Sequence, residues 1–420
     1  MKLFLREATI YHPVSEFHLQ RHNILIENGI IKYIGPDNQD ADHTIAMEGL
    51  SVSAGWVDMF ALSGEPGLEY KEDLQSLTEA AAAGGFTEVL CMPNVTPVVQ
   101  TKGAVGYLKN RSAQMPVTLH PVAAVTMEAE GKELTEMIDL QQAGAVAFSD
   151  GENPLQGADV MLKALQYLQL FEGLLINKPE NTRLTENGQM HEGYTSTMLG
   201  MKGIPALAEE IMVTRDLQLL EYAGGRLHFS HVSTSAAIEA IRKAKAVGLN
   251  VTCDVASYQV AFTDDTIAPF DTNYKVAPPF RGKTDADAIK KGLADGTIDV
   301  LVSGHNPQDT EAKKLEYDLA EFGIINLESA FAVANTSFAN ELSTEALINK
   351  FTTNPRAILR LSQPVIKVGE MANLTIFNPL QKWVPTQQST KSKSDNSPFF
   401  GQELTGTVIG IVHKGQVVLN

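Results

Sequence analysis

A chain of 420 residues is longer than one ordinary core requires and fits a large domain with a smaller companion. Apolar residues make up 44% and charged residues 20%, as in ordinary globular proteins, and no apolar run nears the roughly 18 residues of a membrane span. A formal charge of −17 argues against a nucleic-acid-binding surface, which needs clustered Lys and Arg, and is first of all a solubility device.

The chain opens on Met1-Lys2-Leu3-Phe4 and passes straight into strand-like sequence with charges at Arg6 and Glu7, so no signal peptide and a cytoplasmic location are expected. The first fifty residues read as short strands. Asn23–Glu27 meets Ile30–Ile34 through Asn28-Gly29, a strong two-residue hairpin signal.

From about Ser53 to Pro364 strand-like runs alternate with amphipathic helical ones. The candidate strands are Trp56–Ala61, Glu88–Met92, Thr118–Val125, Ala145–Ser149, Leu174–Asn177, Arg226–Val232, Asn250–Val255 and Asp299–Ser303. Glycines that stop helices precede several of them, at Gly84-Gly85, Gly144, Gly224-Gly225 and Gly248. Eight strand–helix units in series predict a closed parallel (β/α)8 barrel. An open doubly wound sheet is the alternative, but no Gly-x-Gly-x-x-Gly fingerprint follows the first strand.

The last fifty-odd residues return to strands, at Ala372–Phe377 and Gly406–Val412, with a polar Lys- and Ser-rich stretch from Ser389 to Ser397 that reads as a mobile loop. Neither end has enough strands for a core of its own. The expected organisation is therefore a composite β-sandwich from residues 1–52 and 365–420 around a barrel of residues 53–364. Cys91 and Cys253 lie in apolar strand-like runs and read as buried, unpaired thiols.

Several landmarks occur in one order along almost the whole chain. They include Glu65-Pro66-Gly67, Cys91-Met92-Pro93-Asn94, Ala147-Phe148-Ser149-Asp150, His231-Val232-Ser233-Thr234, Asp271–Val276, Gly292–Asp299 and Asn396-Ser397-Pro398-Phe399. In this the chain resembles the dihydroorotases, cyclic amidohydrolases that use zinc at the C-terminal mouth of a TIM barrel. The resemblance implies the metal-dependent amidohydrolase barrel, a homodimer and a place in pyrimidine biosynthesis.

It also exposes departures. Where the family reads Asp-Met-His-x-His-x-Arg-Glu-Pro-Gly, this chain has Asp58-Met59-Phe60-Ala61-Leu62-Ser63-Gly64-Glu65-Pro66-Gly67. Phe60 and Leu62 stand at the two metal-histidine positions and Gly64 at the substrate arginine. A phenyl ring and an isobutyl group offer a metal no lone pair. After the fourth strand Asp150 remains, but Gly151 replaces the second aspartate of the family pair. After the fifth, Asn177-Lys178 stands where a ligand histidine belongs, and a carboxamide beside a cation is a poor transition-metal site. His231 survives on the sixth strand. Gly304 occupies the position of the proton-shuttling aspartate, beside a retained His305, while Ala277 and Gln308 replace further substrate contacts.

Asn94 and His305 are left as substrate-binding remnants, and Asp150 and His231 as surviving metal-type side chains. A weak ion held by His231, His305 and Asp150 is one reading of the survivors; retained structural hydrogen bonding is the plainer one. His228 and His231, three apart on one expected strand, should point to opposite faces. No catalytic residue and no cofactor are expected. The resemblance implies a degenerate, non-catalytic dihydroorotase homologue, with aspartate transcarbamoylase as a structural partner. An active cyclic amidohydrolase of altered or metal-free chemistry is the alternative, since function resides in the site and not in the fold.

Overall fold

A computed structural model describes residues 1–339 and 341–420. Five strands come first: β1 (Lys2–Tyr11), β2 (Arg21–Glu27), β3 (Ile30–Gly35), β4 (His43–Ile45) and β5 (Ser51–Ala54). Asn28 and Gly29 both take positive φ, 51° and 76°, and close the β2–β3 hairpin as their sequence requires.

The barrel follows with β6 (Trp56–Ala61), β7 (Phe86–Cys91), β8 (Thr118–Ala123), β9 (Ala147–Phe148) and β10 (Leu175–Asn177). A two-stranded excursion, β11 (Met190–His191) with β12 (Gly203–Ile204), precedes β13 (Leu227–Phe229), β14 (Val251–Ala256) and β15 (Val300–Val302). Its strands run in parallel in the order β6-β7-β8-β9-β10-β13-β14-β15. A parallel bridge from Ala61 to His305, with Leu62 N–H donating to the His305 carbonyl at 3.0 Å, brings the last strand's exit back to the first. All eight expected strands are barrel strands, most of them shorter than the apolar runs that signalled them.

Alternation along the strands separates their side chains into two packed groups. Val89, Leu119, Leu175, Phe229, Cys253 and Leu301 pack in one cluster with helix residues such as Leu77, Leu108 and Ile241. Leu90, Val122, Ile176, Val300 and Val302 form the other, inside the barrel.

Three C-terminal strands, β16 (Leu374–Trp383), β17 (Leu404–His413) and β18 (Gln416–Leu419), rejoin the first five. β5 pairs in parallel with β1 and antiparallel with β16, so both chain ends enter one curled sheet of order β18-β17-β16-β5-β1-β2-β3, with β4 on β1. Leu3, Ile24, Val52, Ile376 and Val412 fill its core. No helix among the described residues is long and apolar enough to cross a membrane.

Two features lock sheet to barrel. Trp56, fully buried, has ring centroids 4.9 Å from Phe331, 5.6 Å from Phe351 and 5.5 Å from Phe377 of β16. Beside it, Arg356 Nη1 meets Glu88 Oε1 at 2.6 Å and its Nη2 donates to the Gly55 carbonyl at 2.9 Å. Glu88 also takes His120 Nε2 at 2.7 Å and Asn373 Nδ2 at 3.2 Å.

The loop from Ser389 to Ser397 is packed, contrary to the expectation of mobility. Ser392, Ser394, Asn396 and Ser397 are buried, because their polar groups answer buried carboxylates and amides instead of water. Cys91 and Cys253 are free and buried, and burial pushes the Cys91 thiol up to about 12.

Burial would raise the Glu88 carboxyl, but the His120 hydrogen bond and the Arg356 charge outweigh it and hold the group at about 2, below its ordinary 4.5. A depressed carboxylate contributes stability that is present above its unfolded value and is lost as pH falls through its folded one. Glu88→Gln is therefore expected to cost roughly 3 kcal/mol at pH 7. In urea titrations across pH, the gap from the unmodified chain should close as pH drops from 4.5 towards 2. A constant gap would remove the ion pair from the account.

Candidate functional site at the barrel mouth

The strand ends converge at the C-terminal mouth, where (β/α)8 barrels place their chemistry. On β6, Asp58 is fully buried and accepts from Ser303 N at 2.8 Å and Ser303 Oγ at 2.6 Å; burial pushes it up to about 7. Phe60, 2% exposed, lies edge-on to the His231 ring, with centroids 4.3 Å apart and planes at 73°. Leu62 lies beyond it on the wall of the mouth.

Gly64 has φ 65°, and a Cβ there would fall inside contact distance of the Glu72 carbonyl and 2.9 Å from the Leu68 carbonyl oxygen. This backbone has no place for any side chain. Glu65 turns inward, accepting from Leu74 N–H at 3.0 Å and from the Tyr107 hydroxyl.

The histidines do not follow strict strand alternation. β13 ends at Phe229, and His231 sits in a turn with φ 58°, so the opposite-face expectation fails where the chain leaves the sheet. Both histidines meet one carboxylate. His228 Nε2 lies 2.9 Å from Asp254 Oδ2, and His231 donates its backbone N–H to Asp254 Oδ1 at 2.6 Å. His231 Nδ1 pairs with Ser230 Oγ at 2.7 Å. Burial lowers the His231 pKa in spite of the Asp254 charge.

Asp150 is held by Thr126. Its Oδ1 accepts from Thr126 N–H at 2.9 Å and its Oδ2 from the Thr126 hydroxyl, while burial raises its pKa. Asn94 clamps the same turn, donating to the Asp150 carbonyl at 3.0 Å and accepting from Glu152 N–H at 3.0 Å. Its carboxamide fills the space that a side chain on Gly151 would need.

Asn177 is satisfied at both ends of its amide. It donates to Asp216 Oδ2 at 2.8 Å and accepts from Leu155 N–H at 3.2 Å. Lys178, buried, pairs with Glu152 at 3.1 Å.

At the eighth strand's exit, a Cβ on Gly304 would meet Ala256 Cβ and Tyr258 Cε1, each at 2.8 Å. His305 is buried and has both ring nitrogens engaged. Nδ1 accepts from Asn326 N–H at 3.2 Å, which leaves the proton on Nε2, facing Glu72 Oε2 at 3.2 Å. Burial would raise the Glu72 pKa, but His305 and the hydroxyls of Ser392 and Ser76 bring it below its ordinary value. Gln308 joins Lys71 at 2.8 Å and Asn306 at 2.9 Å.

A cleft of about 410 Å³ remains, bounded by Leu62, Glu152, Lys178, Ala277, Gln308 and Glu321 among others. Among the described residues no three His, Cys, Asp or Glu side chains gather so as to hold a metal ion. Of the groups that shape the mouth, Tyr258, Thr126 and Asp216 escaped the sequence reading, since nothing local marks them as neighbours of Gly304, Asp150 and Asn177. Glu72 lies next to the Glu65-Pro66-Gly67 landmark, but only the fold brings it to His305.

A parallel barrel joined to a sheet gathered from both chain ends is the architecture of the cyclic amidohydrolases. L-hydantoinase from Arthrobacter aurescens superposes with a TM-score of 0.86 at 23% identity, covering 100% of this chain and 96% of that one. The dihydropyrimidinase from Brevibacillus agri NCHU1002 gives 0.82 at 18% identity, over 100% and 95%. These likenesses speak for the fold alone.

In sequence, a Dihydro-orotase-like family model matches residues 51–237. Proteins named dihydroorotase from Pelotomaculum thermopropionicum and Syntrophus aciditrophicus are 39% and 38% identical, each over 100% of this chain and 99% of their own length. The chain belongs to the dihydroorotase family.

Filled space makes Gly64 and Gly304 resistant to any larger side chain. Gly64→Arg is expected to cost at least about 2 kcal/mol, through its left-handed backbone and the Glu72 carbonyl. Gly304→Asp should cost about 1–3 kcal/mol by crowding Tyr258. Thermal melts of Gly304→Asp, Tyr258→Ala and the double variant test the second point. The double variant should be more stable than the sum of the single losses, and strict additivity would refute the contact.

Proposed function

We propose that this member of the dihydroorotase family does not interconvert carbamoyl aspartate and dihydroorotate, and is kept for what it binds. The observation that carries the reading is the Phe60 ring seated against His231. Hydrocarbon lies at the surviving metal-type histidine, with Leu62 beyond it. The rest of the donor set fits zinc no better. Asp150 is spent on Thr126, Asn177 on Asp216 and Leu155, and His305 on Glu72 and Asn326.

Hydrolysis of a cyclic amide needs an activated water and a group to shuttle its proton. In the family, zinc supplies the first by lowering the pKa of bound water. Gly304 supplies no shuttle, a loss worth roughly 100- to 10,000-fold by itself. Gly64 leaves no guanidinium to hold a substrate carboxylate. These losses act on one step and overlap instead of adding. Asn94 and His305 remain as structural remnants of the ancestral site.

A family place in pyrimidine biosynthesis makes aspartate transcarbamoylase the partner of choice, with this chain as a homodimer. Among relatives that carry the name dihydroorotase at 38–39% identity, an active enzyme is the competing reading.

Elemental analysis of protein purified with zinc present should find far less than two tightly held equivalents per chain, and Phe60→His with Leu62→His should not restore them. Assays in both directions should show no turnover above background, and the chain should fail to rescue a strain lacking dihydroorotase. Rescue, or a full complement of zinc, would overturn the reading. Co-purification with aspartate transcarbamoylase supports the scaffold role, and its absence from a reconstituted mixture removes that partner.

A further inference from the structure

A second hollow lies away from the mouth, at the seam between the barrel and the curled sheet. It encloses about 580 Å³, within the range of small-molecule sites. Ala83, at the end of the helix Leu74–Ala83, and Val408, Val418 and Leu419 of the sheet line its apolar side. Trp383, at the end of β16, contributes an indole.

Its charged groups are Glu79, Glu328 and Lys391, two acids against one base. Glu328 is held in an unusual way. Its Oε1 accepts three hydrogen bonds, from Thr390 Oγ1 at 2.9 Å, Lys391 N–H at 2.8 Å and Ser392 N–H at 3.3 Å. Among the described residues no donor reaches Oε2. The carboxylate is thus fixed by one oxygen and leaves the other without a donor, in a setting whose burial raises its pKa.

We propose that this seam hollow binds a small organic ammonium with a flat apolar body, the ammonium donating to Glu328 Oε2 and the body lying between the Trp383 indole and the Val408–Leu419 wall. A rigid, partly desolvated carboxylate with an unengaged oxygen favours a charged donor over a neutral one. An indole adds attraction for the same charge. Carboxylate ligands are disfavoured, because Glu79 and Glu328 outnumber Lys391. Since the hollow shares no lining residue with the mouth cleft, the proposal stands whether or not the mouth is catalytic.

The two tryptophans, Trp56 and Trp383, give a direct reading. Trp56 is fully buried with its N–H donating to Ser53 Oγ at 2.9 Å, and serves as the internal control. Full-length protein labelled with 5-fluorotryptophan is titrated with phenethylamine hydrochloride at constant ionic strength and followed by fluorine NMR. The Trp383 resonance should shift saturably and the Trp56 resonance should stay in place. Phenylacetate, with the same body and the opposite charge, should give no shift. Glu328→Gln should weaken binding at least about tenfold.

Glu328 also holds the 390–392 loop, so a second variant leaves it intact. Thr407→Phe places a ring in the hollow and should abolish the shift, with an unchanged Trp56 resonance reporting the fold. No saturable shift, an equal response to phenylacetate, or a shift that survives Thr407→Phe would each overturn the proposal.

Discussion

Arg356 is the point on which the two parts of this molecule turn. Its guanidinium is fully buried, and a buried cation without partners would not be tolerated. It therefore draws together Glu88 of β7, the Gly55 carbonyl between β5 and β6, and the Ser362 carbonyl near the C-terminal end of the barrel segment. Asn373, just before β16, reaches the same Glu88. Each partner comes from a different part of the chain, so satisfying one charge sets the curled sheet against the foot of the barrel. Trp56 and its ring of phenylalanines supply the apolar surface around that lock.

At the opposite end of the barrel the same demand for satisfied polar groups explains the state of the mouth. Here Asp150, Asn177 and His305 are each held by protein partners. Asp150 is turned to Thr126, Asn177 to Asp216 and His305 to Glu72. Phe60 lies against His231, and Tyr258 occupies the space beside Gly304. Each of these contacts adds to the cost of placing a larger side chain at the same point.

The packing of the Ser389–Ser397 loop follows from the same principle. Glu72 is fully buried, and the hydroxyls and amides of Ser392 and Lys393 satisfy it. A stretch whose composition suggested solvent is thereby tied over the first helix and the eighth strand's exit. The seam hollow lies along this loop, and the Glu328 carboxylate that lines it is held by the same segment through one oxygen.

The alternation of apolar runs and helix-stopping glycines determined the eight barrel strands, and the strand-rich ends determined that a second β layer would form. Both are local patterns, set by side-chain periodicity and backbone preference, and so both are legible along the chain. Residue identity alone also established that positions 60, 62 and 304 carry no side chain with a lone pair for a metal. What tertiary structure decided is which side chains surround the residues of the mouth. Tyr258 against Gly304, Asn94 against Gly151 and Thr126 on Asp150 are meetings of segments distant in sequence, and no local pattern encodes them. The convergence of His228 and His231 on Asp254 was hidden for a related reason. Strand periodicity predicts direction only while the strand lasts, and the chain leaves the sheet at Phe229, where packing takes over from pleat.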